Sequence, residues 1–329
     1  MSEFVMMMGL PGSGKSAYVA ENYHAPYQVL SSDLIRNEMK LGHSKEDNAK
    51  VFDLMNRKAF EHLCEDRDVV YDATNLQRKF RVQMLKKIRS DIGNSVKTRL
   101  ILMLRPVDEC KRFNNQRSGW AFVPEDVIDR MYQSFEAPAY YEGWDYIEII
   151  FDNSDSTEKE FYMKADLVNF DQHNPHHKSS LGKHMADTAN YIMERDFTDF
   201  GLVTAGLYHD YGKVKTQSFI NKKGESTDEA HYYNHHNVGA YDVMQILLHD
   251  KIKLRDVIDI CDLICLHMDP IIVWPGSQRR FNEYMQLAGK EQTARVLLLS
   301  EADRNSRGLP PEDDEVFRNL VLEVAENGY

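Results

Sequence analysis

The chain has 329 residues, which at roughly 100–200 residues per domain predicts two domains, each long enough for its own core. Hydrophobic residues make up 42% and charged residues 28%, the usage of a folded, soluble protein and not of a disordered one. The net charge of −12 argues against a protein that coats nucleic acid through a global positive field; no apolar run approaches the roughly 18 residues of a membrane span, and Met1–Met8 lacks a signal peptide's basic region and cleavage site.

Four cysteines (Cys64, Cys110, Cys261, Cys265) are too sparse for a disulfide scaffold and form no CxxC pair, so a reducing, cytoplasmic setting is expected. Cys261 and Cys265 lie four apart and read as core residues on one helix face. The acidity is uneven, −3 over residues 1–155 and −9 over residues 156–329. Histidine follows it: three of 13 precede residue 156 and ten come after. Acid together with imidazole suggests metal ligands in the second half.

In chain order, β-rich runs at Phe4–Met8, Gln28–Ser31, Val69–Asp72, Thr98–Leu104 and Tyr146–Phe151 alternate with amphipathic stretches, the pattern of an α/β domain with a parallel sheet and flanking helices. Ser44-Lys-Glu-Asp47 and Val123-Pro124-Glu125-Asp126 read as helix starts. The polar stretch Asp152–Glu158 reads as a linker, giving domains over 1–155 and 160–329. Beyond it helical spacing dominates, around 180–197, 200–210, 234–249, 253–267, 290–303 and 312–326, the last opened by Pro310-Pro311 and acids. The second domain is expected to be all-α.

Directly after the first strand stands Gly9-Leu-Pro-Gly12-Ser13-Gly14-Lys15-Ser16, the GxxxxGK[ST] pattern in its strand-then-helix context. Its backbone N–H groups can turn around phosphate oxygens, Lys15 can reach the β- and γ-phosphates of ATP, and the Ser16 hydroxyl can ligate Mg²⁺. Ser31-Ser-Asp33-Leu-Ile-Arg36 places a carboxylate at a strand's C-terminal end, where open α/β sheets bind ligands. Asp33 could take a proton from a hydroxyl nucleophile and Arg36 hold an anionic acceptor. A second strand ends in Asp72-Ala-Thr-Asn75, again at that edge. Lys111-Arg112…Arg117 forms a basic segment able to close over a triphosphate. Arg78, Lys79, Arg81, Lys86, Lys87 and Arg89 form a dense basic run, read either as a polynucleotide-backbone track or as a solvated helix face.

The set GLPGSGKS, SSDLIR, DATN and RFNNQRSGWAFVPEDVIDRMYQSF resembles the kinase domain of phage-type 5′-polynucleotide kinases over nearly all of residues 1–152. The resemblance implies that Lys15 and Ser16 bind ATP and Mg²⁺, that Asp33 is the base for a polynucleotide 5′-OH, that Arg36 contacts the adjacent acceptor phosphate, and that the lid arginine on the donor phosphates is Arg117, with Arg112 as the rival.

The second half offers His184, His209-Asp210, His235-His236, His267 and Asp303 on or beside predicted helices. Imidazole and carboxylate suit Mn²⁺, Ni²⁺, Zn²⁺ or Fe, and six such ligands favour two ions. His173, His176 and His177 read as surface or capping residues. The series, with Leu-Tyr-His209-Asp210-Tyr-Gly212-Lys213, resembles the HD superfamily of metal-dependent phosphohydrolases over about residues 170–305. That resemblance implies one metal on His184, His209, Asp210 and Asp303, a second involving His235 and His267, and substrate phosphate on Lys213; His236 is the rival to His235.

A P-loop kinase joined to a metal phosphohydrolase is expected to act on two ends of one polymer: a bifunctional end-healing enzyme that phosphorylates a 5′-OH of RNA or DNA and removes a 3′-phosphate or a 2′,3′-cyclic phosphate, leaving ends for a ligase, in a bacterial or phage-infected cell. The alternatives are an HD nucleotidase or cyclic-nucleotide phosphodiesterase, or a non-catalytic HD module regulating the kinase.

Overall fold

The computed structural model describes residues 2–42, 44–151, 165–175, 178–307 and 315–326. Five strands, β1 (Glu3–Met8), β2 (Gln28–Ser31), β3 (Val69–Asp72), β4 (Lys97–Leu104) and β5 (Tyr146–Phe151), form one sheet in the order β2-β3-β1-β4-β5, every pair parallel. The strands fall where the sequence predicts them, β1 and β4 each starting one residue earlier. All four residues of β3 are buried, as are five of six in β1, because a parallel sheet is covered on both faces by its crossover helices. β1 is central, so its C-terminal end opens at the point where the strand order reverses, the place where such sheets bind ligands.

The helices form for local reasons the sequence carries. Ser44 Oγ accepts from the Asp47 amide at 3.1 Å, which satisfies an orphan N–H of the helix Lys45–Cys64. Val51, Met55, Ala59 and Leu63 of that helix are buried at four-residue spacing, the stripe a surface helix turns inward. The basic run 78–89 is not a continuous positive face. Arg81 is fully buried and its guanidinium pairs with Glu142 (Nη2–Oε1 2.6 Å, Nε–Oε2 3.0 Å), and Arg89 pairs with Asp145 at 2.9 Å. Only Lys79, Lys86 and Lys87 of the run are exposed.

The second unit is built on helices Leu181–Met193, Phe200–Tyr208, His235–His249, Leu254–Leu266, Gln278–Asn305 and Glu315–Glu326. Gly289 (φ +85°) breaks the fifth of these into two. Cys261 and Cys265 are buried in the core. The expectation of an unbroken helical domain misses a hairpin, β6 (Gln217–Ile220) with β7 (Ser226–Tyr232). Its strands are mostly polar and lack the apolar alternation that would announce them, and its turn rests on Gly224 at φ +84°. By contacts, Gln133–Tyr141 belongs with the second unit, while Glu142–Phe151 returns to the first. The rings of Phe135 and Tyr241 meet edge to face at 4.9 Å, and Tyr141 Oη donates to Asp262 at 2.8 Å. The anticipated linker Asp152–Glu158 and the Pro310-Pro311 breaker lie outside the described residues. Among the described residues, no helix is long and apolar enough to cross a membrane.

Candidate functional site

In the first unit the Gly9–Ser16 loop leaves β1 and turns into the helix Lys15–Asn22. Gly12 sits at φ +82°, and a Cβ there would lie 2.1 Å from the Cys110 carbonyl oxygen, so the loop's path against the helix Val107–Asn114 needs glycine. Lys15 is buried, with Nζ donating to the carbonyls of Gly9 (3.0 Å) and Leu10 (2.8 Å), and burial lowers its pKa. Ser16 Oγ donates to Asp72 Oδ2 at 2.9 Å. Register brings this about: Asp72 ends β3 directly beside Met7 of β1 and Ser31 of β2. Burial raises the pKa of Asp72, while Lys15 and the Ser16 hydroxyl act against that rise.

Asp33 lies in the first turn of the helix Ser32–Glu38, half-buried, and its charge acts on both Lys15 and Asp72. Arg117 is half-buried and its charge also reaches both groups. Arg112 is exposed, with its guanidinium 4.7 Å from the Phe113 ring centroid. Arg36 is buried, and its Nη atoms donate to the Gly42 carbonyl and to Asn48 Oδ1 (2.7 Å), tying the end of its helix to the following one, while its buried Nε has no partner.

The second unit gathers His184, His209, Asp210, His235, His267 and Asp303, all at most 5% exposed. Two groups result: His184, His209, Asp210 and Asp303; and Asp210, His235 and His267. Asp210 belongs to both. Its Oδ2 lies 3.2 Å from His184 Nε2 and 3.3 Å from His209 Nε2, and its Oδ1 lies 3.1 Å from His235 Nε2 and 3.8 Å from His267 Nε2. Asp303 Oδ1 closes the first group at 3.1 Å from His184 Nε2, while its Oδ2 takes Arg307 at 2.8 Å.

The histidines are oriented by their other nitrogen. The Nδ1 atoms of His209, His235 and His267 each lie 2.8 Å from the carbonyl oxygen of the residue three before, and His184 Nδ1 lies 3.2 Å from the Ser306 carbonyl. A proton on each Nδ1 leaves the Nε2 lone pairs pointing inward. Yet His184 Nε2 and His209 Nε2 stand 3.2 Å apart, as do His235 Nε2 and His267 Nε2. Two bare lone pairs at that separation repel unless a cation lies between them, and backbone-oriented imidazoles with bridging carboxylate are what divalent ions require. The residues therefore fit a metal in each group. Burial works against charge on His209, but Asp210 and Asp303 outweigh it and push its pKa up to about 10, whereas burial beside His209 and His235 drives His267 well below the ordinary imidazole value.

The rival His236 belongs to neither group; burial and the neighbouring His235 push its pKa down to about 3. Lys213 Nζ lies 2.7 Å from Asp210 Oδ2. A Cβ on Gly212 would lie 2.1 Å from the His235 carbonyl oxygen and 2.6 Å from the Gly239 amide nitrogen, so glycine lets the His209-Asp210 turn approach the helix that carries His235. His173 is exposed, beside Asp171; His176 and His177 lie outside the described residues. Sequence placed Asp72 at the ligand edge without giving it a role, and did not single out Arg307. Arg307 had a detectable signal, its four-residue spacing from Asp303 at a helix end.

Residues 4–138 match the family described as AAA domain, and residues 181–308 match the HD domain family. The chain joins a P-loop kinase-type domain to an HD domain. Over 178 residues it is 30% identical to a protein of Acanthamoeba polyphaga mimivirus named "Putative bifunctional polynucleotide phosphatase/kinase", a match covering 49% of this chain and 38% of that one. This chain thus spans well under half the length of the curated relative. A chain of the structure titled "Structure of the Pnkp1/Rnl/Hen1 RNA repair complex" aligns at TM-score 0.34 and 17% identity, over 40% of this chain and 43% of the other. The APS kinase CysC of Mycobacterium tuberculosis aligns at TM-score 0.27 and 25% identity, over 34% and 67%.

Proposed function

We propose that this chain is a bifunctional nucleic-acid end-healing enzyme, transferring the γ-phosphate of ATP to a 5′-OH and hydrolysing a 3′-phosphate, or a 2′,3′-cyclic phosphate, of RNA or DNA. The observation that carries the reading is the presence, in one chain, of a P-loop with a carboxylate able to accept a hydroxyl proton and of a carboxylate-bridged pair of histidine sites. The first arrangement donates phosphoryl groups and the second suits their hydrolysis. The named activities of the mimivirus relative support it.

In the kinase site, Asp33 accepts the proton of the attacking 5′-OH, Lys15 and Arg117 face the transferring phosphoryl group, and Ser16 with Asp72 would hold Mg²⁺, which when bound neutralises phosphate charge. In the HD site, His184, His209, Asp210 and Asp303 would hold one divalent ion, and Asp210, His235 and His267 the other, with Mn²⁺, Ni²⁺, Zn²⁺ or Fe each compatible with the ligand set. Such ions, when bound, lower the pKa of water and polarise phosphoryl oxygens. Lys213 supplies an ammonium for the substrate phosphate. A ligase is the natural consumer of the 5′-phosphate and 3′-OH that result.

The test is an oligonucleotide bearing 5′-OH and 3′-phosphate, incubated with ATP, Mg²⁺ and Mn²⁺ and read by mass spectrometry. One phosphate gained at the 5′ end and one lost at the 3′ end, abolished separately by Asp33→Ala and Asp210→Ala, is the expected result. An untouched 3′ end alongside turnover of free nucleotides would replace the phosphatase with a nucleotidase.

A further inference from the structure

The Asp210 oxygen that approaches His184 and His209 accepts no hydrogen bond but already stands beside a cation. Lys213 Nζ lies 2.7 Å from that same Oδ2, so an ion accepting Oδ2 and the Lys213 ammonium compete for one oxygen and repel each other. Lys213 is 5% exposed, and an ammonium leaving Asp210 cannot simply be released into water; it needs a second acceptor within the protein.

Gln172 is placed to be that acceptor. Its Oε1 lies 2.9 Å from Lys213 Nζ, and the residue is 2% exposed. Both its ends are fixed: Nε2 donates to the Ser179 carbonyl at 3.3 Å, and its own carbonyl oxygen accepts from Tyr232 Oη. Tyr232 is held in turn by Gln217 Nε2 at 3.0 Å, and its ring centre lies 5.4 Å from Lys213 Nζ. The β6–β7 hairpin and the segment before Ser180 therefore form a neutral cradle around the ammonium. An amide holds a cation without cancelling its charge, whereas a second carboxylate would neutralise it. Gln172 also stands nine residues ahead of the segment that matches the HD family, so nothing in that match marks it.

We propose that Gln172 is a positioning residue that retains Lys213 when divalent cations in the histidine–aspartate groups draw Asp210 away from it, keeping the ammonium aimed at the substrate phosphate. The proposal rests on the metal reading above. No covalent bond is made or broken in this step; Lys213 keeps the hydrogen bond it already makes to Gln172 and gives up its ion pair with Asp210.

The experiment is Mn²⁺ binding to the full chain, measured by electron paramagnetic resonance of free Mn²⁺, in a double-mutant cycle. Gln172→Leu weakens binding by about 10-fold to 100-fold, the usual range for loss of a partner behind a metal ligand. Lys213→Met binds Mn²⁺ at least as tightly as the natural chain, and Gln172→Leu in the Lys213→Met background changes the affinity by less than about twofold. Gln172→Ser repeats the cycle if the leucine variant does not fold. No change on replacing Gln172, or equal weakening in both backgrounds, overturns the proposal, the latter by making Gln172 a general support of the fold. A natural chain that binds no Mn²⁺ removes the metal reading as well, an outcome distinct from absent coupling.

Discussion

Ser16 and Asp72, 56 residues apart in sequence, meet through a 2.9 Å hydrogen bond from hydroxyl to carboxylate. A P-loop hydroxyl beside a strand-end carboxylate is the pair that holds Mg²⁺ in P-loop phosphotransferases. Asp72→Asn is expected to lower the phosphorylation rate of a 5′-OH oligonucleotide by about 100-fold or more and to raise the Mg²⁺ concentration needed for half-maximal rate. A Mg²⁺ titration of the initial rate reads both effects. A variant retaining natural rates at limiting Mg²⁺ would exclude Asp72 from the ion.

The bridging position of Asp210 makes the two metal groups unequal under mutation. His267→Ala leaves His184, His209, Asp210 and Asp303 in place and should remove an ion from the other group alone. Asp210→Ala should empty both. Mn²⁺ retained per chain after gel filtration, measured by mass spectrometry of the metal, distinguishes the two cases, and equal retention in the two variants would contradict the bridge.

Arg81 and Glu142 are both fully buried side chains in contact at 2.6 Å. Glu142→Gln leaves a buried guanidinium uncompensated and should cost about 3–5 kcal/mol of stability, whereas a paired Arg81→Met, Glu142→Leu replacement should recover only part of it, because Arg78 and the Trp144 Nε1–H also lose Glu142. Urea unfolding of the three variants measures this. The double variant being as unstable as the single one would mean that shape, and not charge, decides the site.

Burial raises the pKa of Asp145, but the Thr98 amide (2.7 Å), the Arg89 guanidinium (2.9 Å) and the Thr98 hydroxyl more than offset it, and the folded value lies below the ordinary 3.8. A depressed carboxyl stabilises the fold above the unfolded pKa and loses that contribution as pH falls through the folded one. The destabilisation by Asp145→Asn should therefore be full near neutral pH and shrink as the pH drops below 3.8. Unfolding midpoints at several pH values check it; a pH-independent difference would refute it.

Much of this was legible because it is local. Val- and Met-rich runs bounded by turns define the five parallel strands, and the P-loop, the His209-Asp210 pair and the spacing to His235, His267 and Asp303 stand out as strings of residues. What was not legible depends on partners distant in sequence. A run of arginines looks the same whether it faces solvent or, as Arg81 does, an acid 61 residues away. Arg36 reads as an anion hook, and nothing local shows that its Nη atoms also bond Asn48 and Gly42. Spacing to Val238-Gly239-Ala240 already favours His235 over His236, and Asp72 reads as a ligand-edge residue, but its pairing with the Ser16 hydroxyl depends on strand register. The β6–β7 hairpin carries too few apolar residues to announce itself.

The sheet's centre has a consequence for synthesis. β1 pairs with β3 and β4, Phe4 beside Val69 and Glu3 beside Lys97, and among the described residues has no sheet neighbour nearer in sequence. Since chain emerges at about 5–20 residues per second, the strand that ends in the P-loop waits several seconds for both partners, with Phe4–Met8 exposed as an unpaired apolar strand. Helical neighbours farther along close over shorter loops. The P-loop that leaves β1 is therefore set only once β3 and β4 are both available to flank that strand.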